Sequence, residues 1–179
     1  ILIGSEDNIN DLADKVAKRK PDKVLVSTHK MFNQYPFDVT ANILCSLLNK
    51  YKPDFLFLGH TSTSMCFVPK VASKLGLGLI SCCTGLKVTD EKEIVFVKEI
   101  CNGKLYADIM LKPPGIIAFL PGSFQPIEEE EKKAEVCLEK ISLDKSTLEV
   151  RLIEKIKLKE EVDISNAKII VSGGRGLKD

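Results

Sequence analysis

The chain has 179 residues, 44% apolar and 28% charged, which fits one soluble globular domain, or a domain with an appendage, whose core needs no disulfide staples. Its 26 basic and 25 acidic side chains leave a net charge of +1, excluding a nucleic-acid affinity built on phosphate neutralisation. Only Arg19, Arg151 and Arg175 carry guanidinium forks, and no apolar run approaches the roughly 20 residues that span a bilayer, so neither a nucleic-acid partner nor membrane insertion is expected.

Ile1–Gly4 reads as a short buried strand. Ile9, Leu12, Ala13 and Val16 then share one face of an amphipathic helix that stops before Pro21. Lys23–Ser27 is a second strand. Pro36 stands where the first residue of a helix would, and Phe37, Ala41, Leu44 and Leu48 keep one face of it. Phe55–Gly59 is a continuous apolar run, the pattern of a strand covered on both faces. A third helix is expected over 64–75, with Met65, Val68, Ala72 and Leu75 in line and Gly76 as its cap. Strands alternating with helices of this length imply right-handed crossovers. The expected class is α/β, a three-layer, mostly parallel sheet with helices on both faces.

After residue 80 the pattern changes. Gly85–Thr89 and Glu93–Glu99 flank a hairpin-like turn, and Asn102-Gly103 marks a second turn between runs 93–101 and 104–111. Pro113-Pro114 precedes another apolar strand, Gly115–Leu120. This portion reads as antiparallel and is expected at the edge of the parallel sheet. The run Glu128–Lys133 reads as a solvated connection. The stretch 134–158 is expected to form two strands, with a hairpin through Asp144-Lys145-Ser146. Ile169–Val171 reads as a last short strand running into Ser172-Gly-Gly-Arg-Gly176.

The six cysteines form no C-x-x-C pair, and His29 and His60 lack zinc-motif companions. They read as reduced thiols of a cytosolic protein, mostly small core residues. No charged segment followed by an apolar one opens the chain, so no secretion signal is expected.

Two loops invite a ligand. In Lys168–Leu177, an apolar strand ends in Gly-Gly, where backbone amides can approach an anion, and Arg175 adds a planar permanent charge. Chemistry alone leaves this reading level with that of a flexible turn. Gly59–Ser64 follows a strand and opens a helix, a place where hydroxyls and amides can hold phosphate, although a helix cap is the commoner use of such residues. His60 reads as a loop histidine with a structural hydrogen bond. Gly76-Leu-Gly-Leu79 lies after a helix, the wrong context for a dinucleotide fingerprint. No catalytic constellation stands out, which favours a carrier or binding protein over a hydrolase.

The segment KIIVSGGRGLK (168–178) resembles the signature that opens the flavin-binding domain of the electron-transfer flavoprotein α-subunit. GHTSTSMCFVPKVASKLGLGLISCCTGLKV (59–88) resembles that family's strand, Ser-rich loop, helix and following Gly-Leu segments. KEICNGKLYADIMLKPPGIIAFLPGSF (98–124) resembles its antiparallel pair, ending in Pro-Gly-x-Phe. Three positions depart from the pattern: Cys82 stands where the family often has Asp, Leu120 where Arg commonly precedes Pro-Gly, and Met65-Cys66 where it has Gly and a charged residue.

The resemblance implies an adenine nucleotide α-hydrolase-like fold with two regions. Residues 1–165 would be an amino-terminal domain, and 166–179 the linker and first strand of an FAD-binding domain outside this chain. Family members usually begin with another strand and helix before the one matching Ile1–Gly4. The implied function is electron carriage rather than enzymatic turnover. FAD would be held largely outside the chain, with Arg175 and Gly174 as its cofactor contacts here. A β-subunit and dehydrogenases would be the partners, in the cytoplasm, or the mitochondrial matrix of a eukaryote. Three alternatives stay open: the α-subunit of an electron-bifurcating, NADH-dependent complex; a stand-alone universal-stress-like nucleotide-binding domain using Gly59–Ser64; and an interaction module with an ordered tail.

Overall fold

A computed structural model describes residues 1–5, 9–19, 21–125, 134–154, 156, 167–174 and 176–177. In chain order the elements are β1 (Leu2–Gly4), α1 (Ile9–Ala17), β2 (Lys23–Thr28), α2 (Pro36–Tyr51), β3 (Phe55–Gly59), α3 (Ser62–Met65), α4 (Val68–Leu75), β4 (Gly78–Val88), β5 (Ile94–Ile100), β6 (Leu105–Met110), β7 (Gly115–Phe119) and β8 (Glu135–Leu138). The strands form two sheets, β1-β2-β8 and β3-β7-β4-β5-β6. Pairing is parallel throughout the first and between β3, β7 and β4. It is antiparallel in β4-β5 and β5-β6. This is the expected α/β class with an added antiparallel portion.

Side-chain alternation along β1 shows how the three-stranded sheet is sandwiched. Leu2 packs on the α1 side with Ile9, Ala13, Ala17, Val24 and Val26, while Ile3 packs on the α2 side with Val39, Ile43 and Leu47. The buried line of α1 is Ile9, Ala13 and Ala17, and Leu12 is exposed instead of sharing that face. Small residues at i+4 and i+8 let the helix lie close to the sheet. Helix α2 starts at Pro36 as expected, but it buries two faces: Ala41, Leu44 and Leu48 meet α4, and Val39, Ile43 and Leu47 meet the other cluster.

The five-stranded sheet is closed differently on its two sides. Leu56, Leu58 and Ile116 face α2 and α4. On the opposite side Ile80, Cys83, Phe96 and Ile117 form a core built from strand residues. Strand β3 is therefore not the doubly covered strand its apolar run suggested. It is an edge, and Phe57 is 49% exposed. The outer edges of β1 and β3 are unpaired among the described strands, and a cavity of about 410 Å3 lies between them, lined in part by Ile1, Ile3, Phe57 and Thr61.

Several expectations change in the second half. The helix expected over 64–75 divides into α3 and α4 at Cys66-Phe67. Strand β4 is one 11-residue strand whose first half runs parallel to β7 and whose second half pairs antiparallel with β5, with irregularities between Ile80 and Gly85. Strand β7 is not part of the antiparallel edge. It lies parallel between β3 and β4, because three successive buried apolar side chains, Ile116–Ala118, demand cover on both faces. Leu111 lies over the paired Gly78 and Gly115, where a Cβ on either residue would overlap it. The peptide bond Pro113-Pro114 is cis.

Strand β8 pairs with β2, but among the described residues the expected hairpin partner does not form. A 3-10 turn at Lys145–Thr147, capped by Asp144, leads instead into a segment pinned to α2. The expected strand Ile169–Val171 is also absent. Ile169 and Val171 are 85% and 94% exposed, and no described strand pairs with them. The acidic run Glu128–Lys133 lies outside the described residues.

Gly76 closes α4 in the left-handed conformation (φ 64°), its N–H donating to the carbonyls of Ala72 and Ser73. Nothing lies within 4 Å of the position a Cβ would take, so the penalty of a side chain there is purely backbone strain. Gly76→Ala is expected to cost about 1 kcal/mol, read as a lowered urea midpoint with unchanged slope. An unmoved midpoint would show that the cap contributes nothing.

Candidate functional site

The parallel strands β3, β7 and β4 point their carboxyl ends the same way, the place where open α/β sheets gather functional loops. Three stretches meet there. The His60 N–H donates to the Phe119 carbonyl at 2.6 Å, and the Leu120 N–H donates to the Cys83 carbonyl at 2.8 Å. These bonds tie the loops after β3 and β7 to the irregular middle of β4.

In the first loop the hydroxyls of Thr61 and Ser64 are already committed. Thr61 caps α3: the Ser64 N–H donates to its Oγ1 at 3.1 Å, and the Thr61 N–H donates back to Ser64 Oγ at 2.9 Å. Ser64 Oγ also donates to the Gly59 carbonyl at 2.6 Å. This reciprocal capping box satisfies the helix end internally. The loop is thus a structural cap, with Thr61 as the cap residue.

Beside the cap sits a pair that sequence reasoning did not connect. Cys82 Sγ and His60 Nε2 are 3.3 Å apart, and both residues are half-buried. Among the described residues, His60 Nδ1 is the buried side-chain polar atom with no hydrogen-bond partner. Cys82 takes φ 55°, a left-handed conformation worth about 1–2 kcal/mol of strain for a residue with a Cβ. Its neighbour differs sharply. Cys83 is fully buried, its thiol is in range of the Gly85 and Val97 carbonyls at 3.2 Å, and burial pushes its pKa up against those backbone contacts. The 22 residues between His60 and Cys82 hide the pairing from any local motif.

The cysteines are less buried than expected. Only Cys83 is in the core; Cys45, Cys82 and Cys137 are half-buried, Cys66 and Cys101 are exposed, and all six are free thiols. Among the described residues no group of three His, Cys, Asp or Glu side chains converges as a metal site.

The carboxy-terminal glycine–arginine loop stands apart from these contacts. Residues 167–174 are exposed, and Gly174 has nothing within 4 Å of its Cβ position. The Leu177 N–H donates to the Gly174 carbonyl at 3.0 Å. Gly173 and Gly174 are not among the positive-φ residues. Arg175 lies outside the described residues. No described helix is long and apolar enough to cross a membrane.

A family model for the electron transfer flavoprotein domain matches residues 1–145. The chain is similar to Protein FixB of Clostridium saccharobutylicum, 34% identical over 99% of this chain and 53% of the relative. It is 31% identical to the electron transfer flavoprotein subunit alpha of Bacillus subtilis, over 99% of this chain and 54% of that protein. It is 27% identical to the lactate dehydrogenase (NAD(+),ferredoxin) subunit LctC of Acetobacterium woodii, over 99% of this chain and 43% of that subunit. The chain spans about half the length of the curated relatives it matches.

Proposed function

The chain belongs to the electron transfer flavoprotein family, and from that membership we propose that it is the amino-terminal scaffold of an α-type electron-carrier subunit. Residues 1–165 would be the scaffold, and 166–179 would lead into a second unit that holds FAD. The observation that carries this reading is the placement of Lys168–Gly174. An apolar stretch followed by paired glycines, with no partner strand in the described chain, is what the first strand of another unit requires.

The residues present fit a flavin contact at one point. Gly174 opens onto free space, so a ligand can approach its backbone, and the adjoining Arg175 supplies a permanent cation. In the loop after β3 the Thr61 and Ser64 hydroxyls are taken up in capping α3. This disfavours the universal-stress-like reading, in which Gly59–Ser64 would take a nucleotide. FAD, when bound, accepts an electron pair from a donor and releases electrons singly or together. The chain's own contribution would be to stabilise negative charge near it through Arg175.

A β-type subunit and dehydrogenases are the proposed partners. The antiparallel arm supports a protein partner, because Leu105, Tyr106 and Met110 on β6 and Val88 on β4 are exposed apolar side chains. Similarity to LctC favours a second reading, an α-type subunit in an NAD-coupled complex. NADH added anaerobically to the full-length αβ complex separates the two: bleaching of the flavin without any dehydrogenase supports the second.

The direct test of the first reading is an absorbance scan of the full-length protein, expected to show flavin bands, and of the 179-residue chain, expected to show none. Arg175→Ala in the full-length complex is expected to weaken flavin retention and lower its potential. Unchanged retention and potential would remove the role given to Arg175. Stoichiometric FAD on the 179-residue chain would overturn the domain placement.

A further inference from the structure

We propose that Cys82 is a base-assisted reactive thiol, with His60 as its proton acceptor, and that it is a site of mixed-disulfide formation with low-molecular-weight disulfides. The proposal rests on the 3.3 Å contact between Cys82 Sγ and His60 Nε2 and not on the electron-carrier reading.

Three observations support it. First, the imidazole is free to act as a base. His60 Nδ1 has no acceptor or donor beside it, so the ring proton can sit on Nδ1 and leave Nε2, 3.3 Å from the thiol, to accept from it. The other histidine, His29, is occupied locally, with the Met31 N–H donating to its Nδ1. Second, the thiol is held for this contact. Cys82 is the left-handed residue at the irregularity between Ile80 and Cys83, where the register of β4 on β7 breaks. Regular pleating would alternate neighbouring side chains across the sheet. The break re-aims one side chain, and bulges are frequent next to functional sites. Third, the competing thiols lack a neighbouring base, although Cys101 shares the left-handed backbone (φ 53°). Desolvation pushes the thiols of Cys45, Cys83 and Cys137 up, which reduces their thiolate fraction. Cys66 is exposed, and its Sγ lies 3.2 Å from the Ser62 carbonyl, an acceptor that cannot take a proton. Cys101 is exposed, and neither histidine is in hydrogen-bonding range of it.

The step balances without an added oxidant beyond the disulfide itself. The Cys82 S–H proton moves to His60 Nε2, and the thiolate attacks one sulfur of R–S–S–R. The old S–S bond breaks as the new one forms, and R–S⁻ leaves and takes the proton from His60. The products are the Cys82 mixed disulfide and R–SH.

Oxidised glutathione is the probe. The native full-length protein is pulsed with it, the remaining thiols are blocked with iodoacetamide, and each cysteine's mixed disulfide is quantified by peptide mass spectrometry. Cys82 is expected to react about tenfold faster than the more exposed Cys66 and Cys101, the advantage of a base-assisted thiol over an unassisted one. In His60→Gln that advantage is expected to disappear while the Cys66 and Cys101 rates stay unchanged. The same pulse on wild-type protein in guanidinium chloride is expected to bring the thiols to similar rates, which keeps the test independent of whether His60→Gln folds. A native Cys82 rate at or below that of Cys66 overturns the proposal. So does a Cys82 advantage that survives either His60→Gln or denaturation.

Discussion

Asp38→Ala is expected to lower the unfolding free energy of the protein by about 3 kcal/mol or more, the scale of breaking a buried, hydrogen-bonded charge pair. Asp38 lies in the first turn of α2 and is 2% exposed. Its Oδ2 accepts the N–H groups of Glu149 and Val150, both at 2.7 Å, and its Oδ1 accepts Lys70 Nζ at 2.8 Å. Lys70 reaches on to Glu149 Oε2 at 2.9 Å. One carboxylate therefore joins α2, α4 and the segment after the 3-10 turn. Alanine would leave two backbone donors and an ammonium without their shared acceptor. Urea titration followed by circular dichroism measures the loss, and a change under about 1 kcal/mol would show that the segment is not held by this carboxylate.

The same residue sets an acid limit. Burial pushes the Asp38 carboxyl up, but Lys70 and the N–H groups of Val150 and Glu149 outweigh it and hold the group below the usual carboxylate range. A pKa lowered on folding contributes stability that is complete above the unfolded value of about 3.9 and is lost as pH falls through the folded value. Asp38→Ala is thus expected to narrow the stability gap between neutral pH and strongly acidic pH. A gap identical to wild type would count against the network.

Phe96→Ala is expected to cost about 3–5 kcal/mol, the range for emptying a fully buried aromatic site. Phe96 is completely buried and sits on the sheet side that strand residues themselves close, with Ile80, Cys83 and Ile117. Its ring makes edge-on contacts with Phe55 at 5.4 Å and Phe57 at 6.1 Å. Removing it opens a void where β3, β4, β5 and β7 converge. Phe124→Ala is the control. Phe124 is half-exposed and touches Phe119 edge-on at 5.0 Å, so it is expected to cost under about 1 kcal/mol. Equal losses from the two substitutions would mean that the aromatic residues act as one surface cluster and not as a core with a rim.

Family and class were legible early because the motifs are long and ordered along the chain. The site was not. The Gly59–Ser64 loop admits a phosphate cradle beside the commoner helix cap until the partners of Thr61 and Ser64 are seen. Cys82 and His60 each look unremarkable alone, since neither has a sequence neighbour that completes a motif. Their contact exists because β3 and β4 both flank β7. The glycine–arginine loop is the reverse case. It was conspicuous in the sequence, and its described residues lie exposed, with no described strand paired to them.

Features set within a few residues could be read directly from the sequence. Pro36 opening α2, Gly76 closing α4 and the turn at Asn102-Gly103 follow from backbone sterics at the residue itself. The tertiary structure alone decided what each element packs against. It placed β7 between β3 and β4, split the strands into two sheets, left Phe57 on an edge and bound residues 149–150 to Asp38 across 111 positions of chain. An apolar strand reports that it must be buried but not by which neighbour. That choice is made by the competition among all possible long-range pairings, each with its own loop-closure cost and its own surface to bury.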